Sequence, residues 1–236
     1  MHLFLNGGGA GADTAAALAA FSRVIDPGKP ILYLPLAMQP DRYPDCLLWA
    51  KGELGRVPSA GIEMVESGKA LLSRRLSDCA ALFIGGGNTF RLLGELRESG
   101  ALDKIAAYLD GGGIVFGGSA GAILFGKDIA SCAADDKNEW GLADTAGLDR
   151  MGGMDLLCHY GSRAPERDAA SREYLLRYSA ETGRRVLALP ERDTLYLHDG
   201  QATLIGDRPC SLFADGEEQV FDPPQLAEAL FAGGVA

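Results

Sequence analysis

Short apolar runs alternate along the chain with longer stretches in which apolar residues recur at helical spacing, and glycine clusters separate the two. Leu3-Phe4-Leu5 is the first run. An alanine-rich helix is predicted over residues 13–24, with Asp13 as its N-cap and Asp26-Pro27-Gly28 as its stop. Strands are then predicted at Ile31–Leu34, 62–65, 80–84 and 114–116, and helices over 44–54, 70–76, 89–98 and 102–109. Gly111-Gly112-Gly113 feeds the strand at 114–116, and residues 120–125 start a further helix. Residues 130–148 are polar and irregular. A helix over 168–182, a strand at 186–189 and a final helix over 224–232 complete the reading. Thr194–His198 and Gln201–Ile205 flank Asp199-Gly200, a favoured two-residue hairpin turn. Strands alternating with helices predict βαβ units and a parallel sheet, hence an α/β fold. No linker, repeat or low-complexity segment divides residues 1–236, so one domain is expected.

Composition narrows the function classes. The chain of 236 residues is 47% apolar and 23% charged, as globular chains are. It has no run of about 18 apolar residues and no basic n-region before a long apolar segment, so a cytoplasmic setting without a membrane partner is expected. A net charge of −10 repels phosphate backbones and makes nucleic acid an unfavourable partner. It also means that an anionic substrate would need a local arginine cluster. Five scattered cysteines form no C-x-x-C pair, so neither a disulfide framework nor a metal site is expected, and no cofactor is implied.

The candidate chemistry centres on Gly117-Gly118-Ser119-Ala120-Gly121, a G-x-S-x-G sequence between an apolar strand and an apolar helix. In that context it reads as a nucleophile elbow, a tight turn that presents Ser119 at the carboxyl edge of the sheet. The Ala120 amide, at the helix start, can donate to an oxyanion. A serine needs a base, and only His2, His159 and His198 exist. His2 begins the first strand, at the wrong end of the sheet, and His198 adjoins the hairpin turn. Elimination therefore favours His159, after Leu156-Leu157. Gly85-Gly86-Gly87-Asn88-Thr89 ends another strand and exposes amides that could cradle an anion. Gly7-Gly8-Gly9-Ala10-Gly11-Ala12 satisfies the dinucleotide fingerprint on paper. No acidic residue ends the second strand, where Leu34-Pro35-Leu36-Ala37 stands.

Four segments stand out together: Ile84 to Leu93 around Gly-Gly-Gly-Asn-Thr, Gly118 to Ala122, Cys158-His159-Tyr160, and Leu189-Pro190-Glu191. In order and spacing they resemble the peptidase E (aspartyl dipeptidase) family of serine peptidases, to which cyanophycinase is related. The resemblance implies a doubly wound α/β fold with a mostly parallel sheet, like that of class I glutamine amidotransferases, with serine at the elbow. It implies Ser119 as nucleophile, His159 as base, Glu191 as the carboxylate orienting it, and the Gly87 and Ala120 amides as oxyanion donors. It further implies an exopeptidase (dipeptidase) acting on short peptides, those with N-terminal aspartate among them, with Arg167 and Asn88 in the substrate site and Arg163 near them. Asp136 stands in the region of an aspartate considered important in the family. The chain departs from the family pattern at Leu157-Cys158, which replaces Asn-Pro, and at Arg192, which replaces a glycine. Asp193 is a competing third member. The same residues acting on isoaspartyl or cyanophycin-like material, or on another amide or ester, form a rival reading. A non-catalytic dinucleotide-binding module is a rival of another class.

Overall fold

The structure, a computed structural model, describes residues 1–223. The helix expected over 224–232 lies outside them. Five parallel strands form the centre: β1 (His2–Asn6), β2 (Ile31–Leu34), β3 (Ile62–Met64), β4 (Ala81–Ile84) and β5 (Ile114–Gly118). The hairpin strands β8 (Thr194–His198) and β9 (Gln201–Ile205) extend this sheet antiparallel beyond β1, giving the order β3-β2-β4-β5-β1-β8-β9.

The apolar runs are continuous because both faces of the sheet are covered. Side chains alternate across a strand. Leu3, Leu5, Leu32, Leu34, Leu82, Ile84 and Val115 accordingly enter one core, and Phe4, Ile31, Tyr33, Ala81, Phe83 and Phe116 enter the other. The second core is closed by α1 (Ala15–Ser22) through Leu18 and Phe21, and by α2 (Tyr43–Leu54) through Ala50 and Leu54. Phe4, Phe116 and Phe83 stack within it, with ring centroids 5.8 Å and 5.0 Å apart. The first core is closed by α3 (Gly68–Ser73), α4 (Thr89–Ser99), α5 (Ala101–Asp110) and the single-turn α6 (Ala120–Ile123). The sheet is therefore wound on both sides, as the resemblance implies.

Several boundaries and one sheet differ from the sequence reading: the helix expected over 70–76 spans Gly68–Ser73, and the one expected from 168 begins at Pro165. Helix α1 is capped at Thr14 rather than Asp13. The segment 120–125 is helical only to Ile123. A second sheet, ordered β11-β10-β7-β6, joins β6 (Asp155–Leu157) and β7 (Val186–Ala188) to an unanticipated antiparallel pair, β10 (Cys210–Ala214) and β11 (Glu217–Phe221). Helix α7 (Pro165–Thr182) links β6 to β7. It starts on a proline, carries Glu166 and Asp168 in its first turn, and ends at Gly183. Among the described residues no helix is long and apolar enough to cross a membrane. The carboxyl ends of β1, β4, β5, β6 and β7 converge, and the loops leaving them build the site.

Candidate active site

Ser119 links β5 to α6 with φ 53° and ψ −116°, a conformation that few side-chain-bearing residues adopt. The turn exists because its flanking glycines allow backbone to touch backbone. A Cβ on Gly117 would stand 2.2 Å from the Gly121 carbonyl oxygen, and one on Gly121 would stand 2.2 Å from that of Ile84. The Ser119 amide donates to the Asn6 carbonyl at 3.0 Å, which ties the turn to the end of β1.

His159 follows β6, also at positive φ (64°). Its backbone is clamped between two loops: its amide donates to the Gly7 carbonyl (2.8 Å), and the Tyr160 amide donates to that of Leu189 (3.0 Å). The ring so placed bridges two partners. Nε2 lies 2.8 Å from Ser119 Oγ, and Nδ1 lies 2.7 Å from Glu191 Oε1. Glu191 follows β7, and its amide donates to Ser162 Oγ at 2.9 Å. The Ser–His–carboxylate line thus depends on loops after β1, β5, β6 and β7 locking to one another. Gly8 is part of that lock, since a Cβ there would lie 2.2 Å from the His159 ring.

The Gly85–Gly87 loop abuts the serine: a Cβ on Gly86 would be 3.1 Å from Ser119 Cβ. Gly87 has φ 138°, and a Cβ there would strike the Ala37 carbonyl oxygen at 2.5 Å, so only glycine fits. Its amide has no acceptor among the described residues. Ala120 is the first residue of α6, so its amide has no partner inside the helix. Asn88 does not face the serine. Its side chain caps α4 by accepting from the Arg91 amide and donates to the Lys137 carbonyl, both at 2.9 Å. Asp136 likewise holds the start of α4, accepting from the Thr89 amide (2.8 Å) and hydroxyl (2.6 Å), while also lining the cavity beside Ser119.

That cavity, of about 360 Å³, is bounded by Gly87, Ile123, Asp135, Arg163 and Arg167 along with Ser119, His159 and Glu191. Arg163 is nearly buried and committed to structure. It lies 2.6 Å from Asp135 and donates to the Cys158 carbonyl at 2.9 Å. Arg167 sits at the rim, 64% exposed and 3.8 Å from Asp135. Cys132 and Cys158 beneath the cavity are buried, and burial pushes both thiols well above their usual range, so they stay neutral.

The competing groups are occupied elsewhere. Asp193 is fully buried and turned away from His159; its Oδ1 accepts from the Asp207 (3.2 Å) and Arg208 (3.4 Å) amides. Burial pushes its pKa up to about 6 despite those hydrogen bonds. A folded-state pKa above the unfolded ~3.9 means that the folded chain binds the proton more tightly. Its effect on stability is therefore most favourable below about pH 4 and is lost as pH rises to 6. Asp193→Asn should remove about 3 kcal/mol of that decline, a flattening that urea melts from pH 4 to 7 would detect. His2 and His198 stack on one another at the opposite end of β1 and β8 (centroids 5.2 Å apart). In the loop at residues 7–12, the Gly11 amide donates to both Glu53 oxygens (3.2 and 2.9 Å), and α1 begins only at Ala15. A carboxylate therefore stands where a dinucleotide phosphate would need those amides.

A family model, peptidase family S51, matches residues 3–205. The chain belongs to peptidase family S51. Peptidase E of Salmonella paratyphi C is 31% identical over 188 residues, which cover 76% of each chain. Peptidase E of Citrobacter koseri is 35% identical over 153 residues, or 61% of this chain; that stretch spans 63% of the Citrobacter protein's own length. A crystal structure of a peptidase from an acI-B1 Actinobacterium superposes with a TM-score of 0.69 at 16% identity, covering 93% of both chains, and so shares the fold. The S51 match spans β1 to β9 and contains the elbow, the His159 loop and Glu191.

Several supports of this candidate site were not legible in the sequence. Gly8, Asn6, Ser162 and the Asp135–Arg163 pair each act across a long sequence separation. Gly8 did carry a signal, the glycine run at residues 7–9, whose close approach is to a histidine ring.

Proposed function

We propose that this S51 member is a serine exopeptidase that hydrolyses short peptides through an acyl-enzyme on Ser119. The observation that carries the reading is the unbroken line from Ser119 Oγ through the His159 ring to Glu191, at 2.8 and 2.7 Å. Glu191 holds Nδ1 as the N–H donor, which leaves Nε2 free to accept the seryl proton. Ser119 attacks the scissile carbonyl, and the carbonyl oxygen gains negative charge between the Gly87 and Ala120 amides. Such a donor is typically worth about 3 kcal/mol in the transition state. The protonated His159 then gives its proton to the leaving amine as the tetrahedral intermediate collapses. A water, activated by the same ring, hydrolyses the ester and regenerates Ser119.

The cavity beside Gly87 takes the acyl residue's side chain, and Arg167 makes it suit an N-terminal aspartate. A planar guanidinium forks onto a carboxylate, and it supplies the local attraction that a chain of net charge −10 needs. Hydrolysis of Asp-Leu, Leu-Leu and isoAsp-Leu by wild type and Ser119→Ala tests the reading: Asp-Leu should be cleaved by wild type alone. Cleavage that persists in the variant would refute it. Arg167→Ala should lower kcat/KM for Asp-Leu about tenfold and leave Leu-Leu within twofold, because the exposed arginine contributes little to folding. Equal losses on both peptides would remove Arg167 from specificity.

A further inference from the structure

Ser119 and His159 line a second cavity on the α1–α2 side of the sheet, which the mechanism above does not use. It measures about 130 Å³ and contrasts with the arginine-rimmed cavity in chemistry. Its apolar walls are Leu18, Trp49, Phe83 and Phe116, and its edges are bare backbone of the glycine loops after β1 and β4. Phe83 and Phe116 form a fixed floor, buried and stacked 5.0 Å apart at 9°. Trp49 leans over Phe83 with centroids 6.2 Å apart, yet is 42% exposed. It is thus a large apolar side chain left uncovered at the mouth of the site.

We propose that this cavity is the subsite for the side chain of the leaving residue, and that it selects aliphatic or benzyl side chains over glycine and over acidic ones. The inference rests on the exopeptidase reading. A scissile carbon placed on Ser119 Oγ extends one residue into each flanking cavity, and the arginine-rimmed one takes the acyl side chain. The size is comparable: about 130 Å³ beneath the half-exposed Trp49, against the roughly 150 Å³ of an enclosed cavity that holds a benzene ring. The floor offers apolar area that a leucine or phenylalanine side chain covers and glycine does not. Glu53 lines the same cavity with its carboxylate held by Gly11 and Thr14, so a second carboxylate meets an already fixed negative charge.

Two readouts separate this proposal from the reading beneath it. The first is kcat/KM for Asp-Gly, Asp-Leu, Asp-Phe and Asp-Glu in wild type, Trp49→Ala and the cavity-filling Leu18→Trp. Leu and Phe should exceed Gly about tenfold in wild type, Glu should fall below Gly, and both variants should bring the Leu-to-Gly ratio near one. The second uses Trp140→Phe, which leaves Trp49 as the sole indole. Titration with free leucine or phenylalanine should shift its emission saturably, and glycine should not. Cleavage without preference between Leu and Gly, with unmoved emission, overturns the subsite and leaves the peptidase reading intact. A saturable shift with no cleavage of any dipeptide keeps the apolar site and overturns the peptidase reading.

Discussion

Ser119→Ala is expected to reduce turnover of any cleaved peptide by about 10⁴- to 10⁶-fold, with substrate binding retained. His159→Ala should cost nearly as much, and the double variant little more than either single one, because the two groups act as a unit. Glu191→Gln should fall short of both by roughly one to two orders of magnitude. The amide still places the ring, but it stabilises the imidazolium less and permits the wrong tautomer. Additive losses for the serine and histidine would mean that the 2.8 Å contact between them is structural. Because Ser119 already occupies a strained turn held by Asn6, its replacement by alanine should keep the fold, and a thermal melt within a few degrees of wild type is the control.

The second large effect is expected at a residue that has no side chain. Gly8→Ala should lower kcat/KM by at least about 100-fold, because its methyl group would stand 2.2 Å from His159 Cε1 and 2.4 Å from Nδ1. The ring must swing off either Ser119 or Glu191 to admit it. Gly8 also has φ 124°, so the backbone strain adds a stability cost on the order of 1–2 kcal/mol. Loss of folding and loss of ring placement are separable by the imidazole ring's NMR signals. A folded variant with a displaced His159 supports the account, and a folded variant with full activity contradicts it.

What the sequence made legible was local. Thr194–His198 and Gln201–Ile205 pair residue for residue around Asp199 (φ 48°) and Gly200 (φ 73°), as an Asp-Gly dipeptide between alternating strands requires. The Ser119 turn was readable because glycine spacing dictates it, and His159 remained because His2 begins the first strand and His198 adjoins the hairpin turn; in the fold those two pair at the far end of β1 and β8. The missed pair β10–β11 carries the same kind of turn, Asp215-Gly216, at φ 52° and 78°. Its outer strand, Glu217–Phe221, is too polar to stand out as an apolar run. Contacts between distant residues left no local trace. The mixed charges of residues 163–173 look like a solvated helix face in one dimension. In the fold, Arg163 reaches back 28 residues to Asp135 and stiffens the cavity wall.

The central claim is that His159 and the elbow make Ser119 a nucleophile, and covalent labelling tests it most directly. Wild type treated with a fluorophosphonate and examined by peptide mass spectrometry should carry one adduct, on Ser119, and His159→Ala should carry almost none. An unlabelled Ser119 in folded wild type, or an adduct on another serine, would contradict the account.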